Sequence, residues 1–396
     1  MINWTGYPLL ALLLSATGLF LSIWIVITAP IRVLFPLSVG APEVSPWLIG
    51  LNTLAILLSL AQIQAGWFWR GLVGCSLVGL LLSSLPLLQL PTTNQQFAAN
   101  LEHGLGMGYL AKIPAAIRIQ MRPRIFVLTE VFTGIAARSW RYTPGIQFAA
   151  PDGVPLTMDM YRPPTKGQYP GIVVIYGGAW RSGSPTDNAT FNRYMAARGY
   201  TVVAISYRLA PHYRFPAQLE DVNAALTFIR QHAAEYEIDI NRMAILGRSA
   251  GAHLAMLAAY QPNALPLQAV VNYYGPLDLR GGYQDPPSPD PLKVRDILKT
   301  FIGGTPDELP TQYQLASPIH FVRSGLPPTL LVYGSRDHVV QAKFGRQLRD
   351  RLHASGNTAI MLEIPWAEHA FDAIFSGVSN QLALYYTERF LAWALR

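Results

Sequence analysis

A serine set between glycines stands at Gly247-Arg248-Ser249-Ala250-Gly251, after the apolar run 243–246 and before the alanine- and leucine-rich segment 252–260. A strand, a sharp turn and a helix in that order push a serine side chain out of the backbone, and the turn leaves little room for neighbouring Cβ atoms, which is why glycines flank it. The same turn puts Ser249 at a helix N-terminus, where free N–H groups favour developing negative charge. A serine hydroxyl is a poor nucleophile until a base takes its proton, and that base is usually a histidine held by a carboxylate. The pentapeptide alone is only moderately specific. Its meaning depends on whether a base, an acid and an oxyanion site occur in a workable order.

Three histidines follow the strand-end carboxylate Asp337: His338, His353 and His369. His369 lies in Trp366-Ala367-Glu368-His369-Ala370-Phe371, a loop between the last expected strand and the last expected helix, where a base reaches the carboxyl edge of a sheet. His353 reads as a surface residue on a helix, and His338 is too close to Asp337 to serve both geometries. Asp337 follows the apolar run 330–333 through Gly334-Ser335-Arg336 and is the preferred acid. Asp278, in Gly275-Pro276-Leu277-Asp278, is the runner-up, and a turn carboxylate is the ordinary alternative for either. For the oxyanion hole, one donor is the N–H of Ala250, directly after the nucleophile, and the others are the N–H groups of Gly178 and Ala179 in Tyr176-Gly177-Gly178-Ala179-Trp180.

These residues need a scaffold. From about residue 145 short β-rich runs alternate with helical ones. Strands are expected at 145–149, 156–161, 171–176, 201–207, 243–246, 268–274, 329–333 and 358–364, and helices near 188–197, 217–234, 250–260, 342–354 and 380–395. Several of the strands are continuously apolar, as strands buried on both faces are. The alternation predicts an α/β fold whose sheet is mostly parallel after an antiparallel start. Residues 276–327 are rich in Pro and Gly and read as a cap-like insertion over one end of the sheet.

The first hundred residues are different. The chain is 51% apolar and 13% charged, against roughly 25% charged in soluble domains. Residues 1–100 carry only Arg32, Glu43 and Arg70 as formal charges. Apolar runs at 7–28, 47–67 and 72–90 are each near the 20 residues that cross a bilayer as a helix, and Trp4, Tyr7, Trp47, Trp67 and Trp69 stand at their ends as an aromatic belt would place them. A signal peptide is the rival for the first run, and buried soluble helices for the second, given Asn52, Gln62 and Gln64. The expected organisation is a membrane region of about three transmembrane helices (1–92), ended by Pro91-Thr92-Thr93-Asn94, a linker or interfacial amphipathic segment (93–144) and a catalytic domain (145–396). Lys112, Arg118, Arg122 and Arg124 favour a cytoplasmic catalytic domain, although they lie beyond the reach at which flanking charge governs orientation. The net charge of +7 is scattered, without the dense basic tract or aromatic-basic motif of a nucleic-acid binder, and suits anionic headgroups better. The single cysteine, Cys75, excludes an internal disulfide and a cysteine-built metal site.

The elbow, with Gly177-Gly178-Ala179-Trp180-Arg181-Ser182-Gly183, Ser206-Tyr207-Arg208-Leu209-Ala210-Pro211, Phe215-Pro216-Ala217, Glu220-Asp221-Val222 and the continuation Ala252-His253-Leu254, resembles the α/β-hydrolases of the esterase/lipase group, near the hormone-sensitive-lipase-like and feruloyl-esterase-like (BD-FAE) carboxylesterases. The resemblance covers residues 145–396. It implies a serine hydrolase acting on carboxylic esters through an acyl-enzyme, with Ser249, Asp337 and His369 as the triad, Asp221 and His253 as structural residues, and no metal or organic cofactor. It departs from the family at Tyr176, where a histidine usually braces the oxyanion loop. Amides, thioesters and arylformamides suit the same machinery, and a catalytically silent membrane scaffold is the reading from another class.

Overall fold

The computed structural model describes residues 7–136 and 138–396; Trp4 lies outside them. The C-terminal region is built on an eight-stranded sheet. Its strands are β1 (Arg141–Ala149), β2 (Leu156–Arg162), β3 (Tyr169–Ile175), β4 (Thr201–Ile205), β5 (Ile238–Arg248), β6 (Ala269–Tyr273), β7 (Thr329–Gly334) and β8 (Ala359–Ile364). They lie in the order β1-β2-β4-β3-β5-β6-β7-β8. The β1–β2 and β2–β4 pairs are antiparallel and the remaining pairs parallel. Every residue of β4, β6 and β7 is buried, which explains why their sequences run apolar without alternation.

The first four helices are α1 (Tyr7–Ile23), α2 (Phe35–Glu43), α3 (Ser45–Leu60) and α4 (Trp67–Leu105), followed by the short α5 (Ala115–Arg118) and α6 (Leu128–Thr133). Around the sheet come α7 (Ala189–Ala196), α8 (Ala217–Gln231) and α9 (Ala250–Tyr260). The insertion contributes α10 (Leu279–Gln284), α11 (Val294–Ile302) and α12 (Pro310–Leu315), and the chain closes with α13 (Ala342–Ala354) and α14 (Val378–Ala394). Parallel neighbours are joined by right-handed crossovers. The step from β3 to β4 runs opposite to those from β4 to β5 and β5 to β6, so α7 lies on one face with α14, to which Arg198–Glu388 ties it (3.0 Å). Helices α8 and α9 pack together on the other.

The N-terminal helices are inverted relative to a water-soluble bundle. Small and polar side chains face inward: Ser15, Ser22, Asn52, Ser59, Ser76 and Ser83 are all buried. Asn52 donates to the Ser22 hydroxyl (3.0 Å) and the Leu48 carbonyl (2.9 Å), and Ser76 donates to Ser15 (2.9 Å). Leu9, Leu13, Phe20, Leu57, Leu81 and Leu88 are exposed. Among the described residues one helix, α4, is long and apolar enough to cross a membrane by itself; α2 and α3 pass that test only as a pair bent by 83°, and α1 has 17 residues.

Three sequence expectations change here. Pro91 does not end a helix: α4 runs on to Leu105 through Pro86 and Pro91. Its distal part is held by the C-terminal region, where Asn100 donates to the Met361 carbonyl on the edge strand β8 (3.0 Å) and Tyr386 of α14 donates to Asn94 (2.6 Å). Residues 101–125 form no amphipathic surface helix. Pro114 breaks them, Ile113 is buried, and Arg122 is buried on α14, its amide donating to Glu388 (2.6 Å). The helix α2 falls in a stretch for which no element was expected.

Candidate active site

Strand β5 ends directly under Ser249, which opens α9 with φ 50° and ψ −122°. The flanking glycines are required by space: a Cβ on Gly247 would lie 2.2 Å from the Gly251 carbonyl oxygen, and one on Gly251 would lie 2.2 Å from the Ile175 oxygen and 2.3 Å from that of Tyr176. The Ser249 amide is anchored on the Tyr273 carbonyl of β6 (2.9 Å).

The turn after β7 carries Asp337 and the turn after β8 carries His369, and both arrive at Ser249. His369 Nε2 is 2.9 Å from Ser249 Oγ, and His369 Nδ1 is 2.8 Å from Asp337 Oδ2. Asp337 Oδ1 accepts the amides of Val339 (2.8 Å) and Val340 (2.7 Å). Burial pushes the Asp337 carboxyl up, while the His369 imidazole and the Val340 amide oppose the shift. With Nδ1–H donated to the carboxylate, Nε2 is left as an acceptor for the serine proton.

The competing residues are placed elsewhere. Asp278 caps α10, accepting the Gly281 amide (2.8 Å). His353 reaches the Ala359 carbonyl (2.7 Å). His338 pairs with Glu368 (2.9 Å), whose other oxygen accepts the His369 amide (2.9 Å). Asp221 accepts from the amide (2.7 Å) and Nε (3.0 Å) of Arg208. His253 is fully buried, with Nε2 2.6 Å from the Ala316 carbonyl and Nδ1 accepting from Trp180 Nε1 (3.2 Å).

The loop expected to carry the oxyanion donors follows β3. Gly178, Ala179 and Trp180 all have positive φ (110°, 55° and 58°), and for the two non-glycines this costs about 1 kcal/mol or more each. A Cβ on Gly177 would sit 3.2 Å from that of Ser249, so the loop lies against the nucleophile. Gly178, Ala179 and Ala250 line one cavity with Ser249 and His369. Tyr176 packs its ring against Gly183 at the far end of this loop. Its ring stacks on Tyr207 (4.5 Å), and the Tyr207 hydroxyl donates to the Tyr176 carbonyl (3.2 Å). Trp180 is clamped by stacking on Phe301 of α11 (4.0 Å).

Sequence reasoning missed a second buried layer. Arg248, the variable residue of the elbow, pairs with Asp372, three residues past His369; Tyr274 donates to the same carboxylate, and its ring lies against His369 (4.6 Å). The pair ties the nucleophile turn to the histidine loop. The available signal was a charged residue within an otherwise apolar strand–turn–helix. Among the described residues no cluster of three or more His, Cys, Asp or Glu side chains could hold a metal ion.

The cavity over Ser249 measures about 760 Å³ and is mostly apolar, with Phe191, Leu279, Leu298, Val340, Phe344 and Phe375 among its walls. Insertion residues form part of its roof, and Arg32, from the link between α1 and α2, stands in its wall.

An eight-stranded sheet of this order, with a serine on a β5–α9 elbow and an acid and a histidine after β7 and β8, has the α/β-hydrolase fold. Residues 158–352 match the family model BD-FAE. The chain is similar to the esterase LipC of Mycobacterium tuberculosis, 34% identical over 227 residues, covering 53% of this chain and 55% of that protein. It is similar also to the probable carboxylic ester hydrolase LipM of the same organism, 32% identical over 252 residues, covering 59% and 57%. The chain thus spans about half the length of the curated relatives it matches. Among solved structures it resembles a bacterial heroin esterase, with TM-score 0.57, 25% identity, and coverage of 65% of this chain and 84% of that one.

Proposed function

We propose that the protein is a carboxylic ester hydrolase held in a membrane by its N-terminal helices. One observation carries the chemistry: the unbroken relay from Ser249 Oγ through His369 to Asp337, at 2.9 and 2.8 Å, on the floor of an apolar cavity. The similarity to proteins named esterases supports the choice of esters over other acyl compounds. In this reading His369 takes the Ser249 proton as Oγ attacks the ester carbonyl. The tetrahedral oxyanion is held by the N–H groups of Ala250, Gly178 and Ala179, each donor contributing about 100- to 1,000-fold in rate. His369 then protonates the leaving alcohol, and water hydrolyses the acyl-Ser249 by the same steps. Asp337 keeps the imidazole in the required tautomer.

The membrane reading, with α1, the bent α2–α3 pair and α4 as three passes, is supported by the inverted pattern of exposed leucines over a core of serines, Asn52 and glycines, as in helices that pack within lipid. Gly18 and Gly79 both abut Asn52. A single experiment tests both parts. Membranes from cells expressing the full chain are washed with alkaline carbonate and treated with a fluorophosphonate probe. Labelling is expected to remain in the washed pellet and to vanish in Ser249→Ala. Labelling that survives the substitution would overturn the serine reading, and release of the protein by carbonate would overturn the membrane reading.

A further inference from the structure

The cavity has a wall that the hydrolase fold does not supply. Arg32 belongs to the segment between α1 and α2, yet it lines the same cavity as Ser249 and His369. That segment is fixed at the active-site edge at its start, and the helix after it is fixed at its end. Thr28 Oγ1 lies 3.1 Å from Nε2 of His338, the residue after Asp337, and Glu43 accepts the amide of Ser379 at the start of α14 (2.8 Å). Around Arg32 the segment turns apolar side chains outward: Val26, Ile27, Ile31 and Val33 are exposed, Val33 at 81%. In the membrane reading above, a cation between outward-facing aliphatic residues just past α1 takes the headgroup level of the bilayer, where long basic side chains keep their charge in the polar layer.

The charges of the cavity differ in whether they are satisfied. Asp285 pairs with Lys343, Asp372 with Arg248, Asp278 caps α10 and Asp187 accepts from Ser184. Two guanidiniums of the cavity, those of Arg32 and Arg181, are exposed and engaged by no hydrogen bond or ion pair among the described residues; Arg181 belongs to the loop after β3, and Arg32 is the one contributed by the N-terminal region. The site therefore offers an apolar chamber with Ser249 at its floor and two guanidiniums without a protein partner, of which Arg32 lies in the wall built by the apolar N-terminal region.

We propose that the substrate is an anionic amphiphilic ester of the bilayer, whose acyl chain enters beside the 26–33 segment and whose phosphate or carboxylate is held by Arg32. This inference rests on the ester-hydrolase reading above and deepens it. Guanidinium recognises either anion through paired N–H donors, and the bilayer supplies the apolar chain that the chamber accommodates. Cleavage follows the same balance: the Ser249 oxygen forms the acyl bond, the ester C–O bond breaks, and the anionic alcohol leaves with the proton from His369.

The test uses the purified full chain in neutral phosphatidylcholine vesicles. The substrates are 1-oleoylglycerol 3-phosphate, 1-oleoylglycerol, and the short, water-soluble 1-acetylglycerol 3-phosphate. The wild type is expected to prefer the oleoyl phosphate over both others. In Arg32→Glu the ratio of kcat/KM for the charged over the neutral oleoyl ester is expected to fall about tenfold, as replacing one rim attraction with a repulsion implies, and Arg32→Lys is expected to keep most of it. A ratio unchanged by Arg32→Glu, or faster turnover of the acetyl than the oleoyl phosphate, overturns the inference. Hydrolysis of p-nitrophenyl butyrate in parallel separates the two readings. If that ester is cleaved and the oleoyl phosphate is not, the substrate class is wrong. If neither is cleaved and fluorophosphonate labelling is absent, the hydrolase reading itself falls.

Discussion

At the scale of single residues, the site contrasts two histidines. His369 is held between a carboxylate and a hydroxyl. His253, one turn beyond Ser249, donates to the Ala316 carbonyl and accepts from Trp180, and its burial lowers its pKa from 6.5 to about 4. Its task is to hold Trp180 of the oxyanion loop against the insertion. The shift fixes a pH dependence. Between pH 6.5 and 4 the unfolded chain binds a proton that the folded chain refuses, so the stability this site contributes is complete above about 6.5 and is lost as pH falls toward 4. The loss amounts to about 3 kcal/mol. Urea midpoints measured at pH 7 and pH 4.5 should therefore show a smaller acid loss in His253→Gln than in the wild type, although the variant is less stable at pH 7. Equal acid losses would mean that His253 does not titrate in this window.

At the scale of elements, the elbow depends on three backbones crossing within a few ångströms: the end of β3, the end of β5 and the first turn of α9. Gly251 lies where they meet. Gly251→Ala would press a methyl group onto the carbonyl oxygens of Ile175 and Tyr176, neither of which can rotate away, at a cost of about 3 kcal/mol. Gly282→Ala in α10 has nothing within 4 Å of the added carbon and gains up to about 1 kcal/mol of helix propensity. The two midpoints should move in opposite directions; a Gly251→Ala protein as stable as the wild type would refute the crowding argument. The oxyanion loop shows how a missing residue is replaced by an element. With tyrosine at position 176, the bracing bond comes from Tyr207, just past the end of β4, one strand away.

At the scale of the whole molecule, the N-terminal and catalytic regions share surfaces. Helix α4 leaves the apolar bundle and continues along β8, where Ile360 packs against Gly104 and Asn100 bonds to the strand, while Phe97 meets Tyr386 of α14 edge-on (5.5 Å). This covers the β8 edge of the sheet, which would otherwise present unpaired backbone to other chains. Expression of residues 138–396 alone is therefore expected to give aggregated or weakly soluble protein, read by size-exclusion chromatography, whereas the full chain in detergent elutes as a single species. A monodisperse truncated protein with undiminished esterase activity would show that the N-terminal region contributes neither stability nor pocket wall.

The sequence by itself determined what is local. Strands buried on both faces are continuously apolar, so β3 to β8 were legible, while the antiparallel β1 and β2 showed only as short β-rich runs; the principal helices around them were legible too, within a few residues. A serine elbow needs glycines at fixed positions, so spacing singled out Ser249 and His369 and preferred Asp337 to Asp278 as the candidate acid, and the structure brings the first three within hydrogen-bonding distance. Sequence patterning did not reveal what depends on contacts between distant segments. Pro91 signals a break, but α4 runs on through it and its distal part packs against α14 and β8. Arg122 looks like a surface charge, but Glu388 buries it. Arg248 and Asp372 are 124 residues apart, and Arg32 is 217 residues from Ser249; neither proximity leaves a trace in local composition. Periodicity reports the environment of one element. Only tertiary packing decides which elements meet, and here it brings a segment of the apolar N-terminal region into the wall of the cavity above the serine.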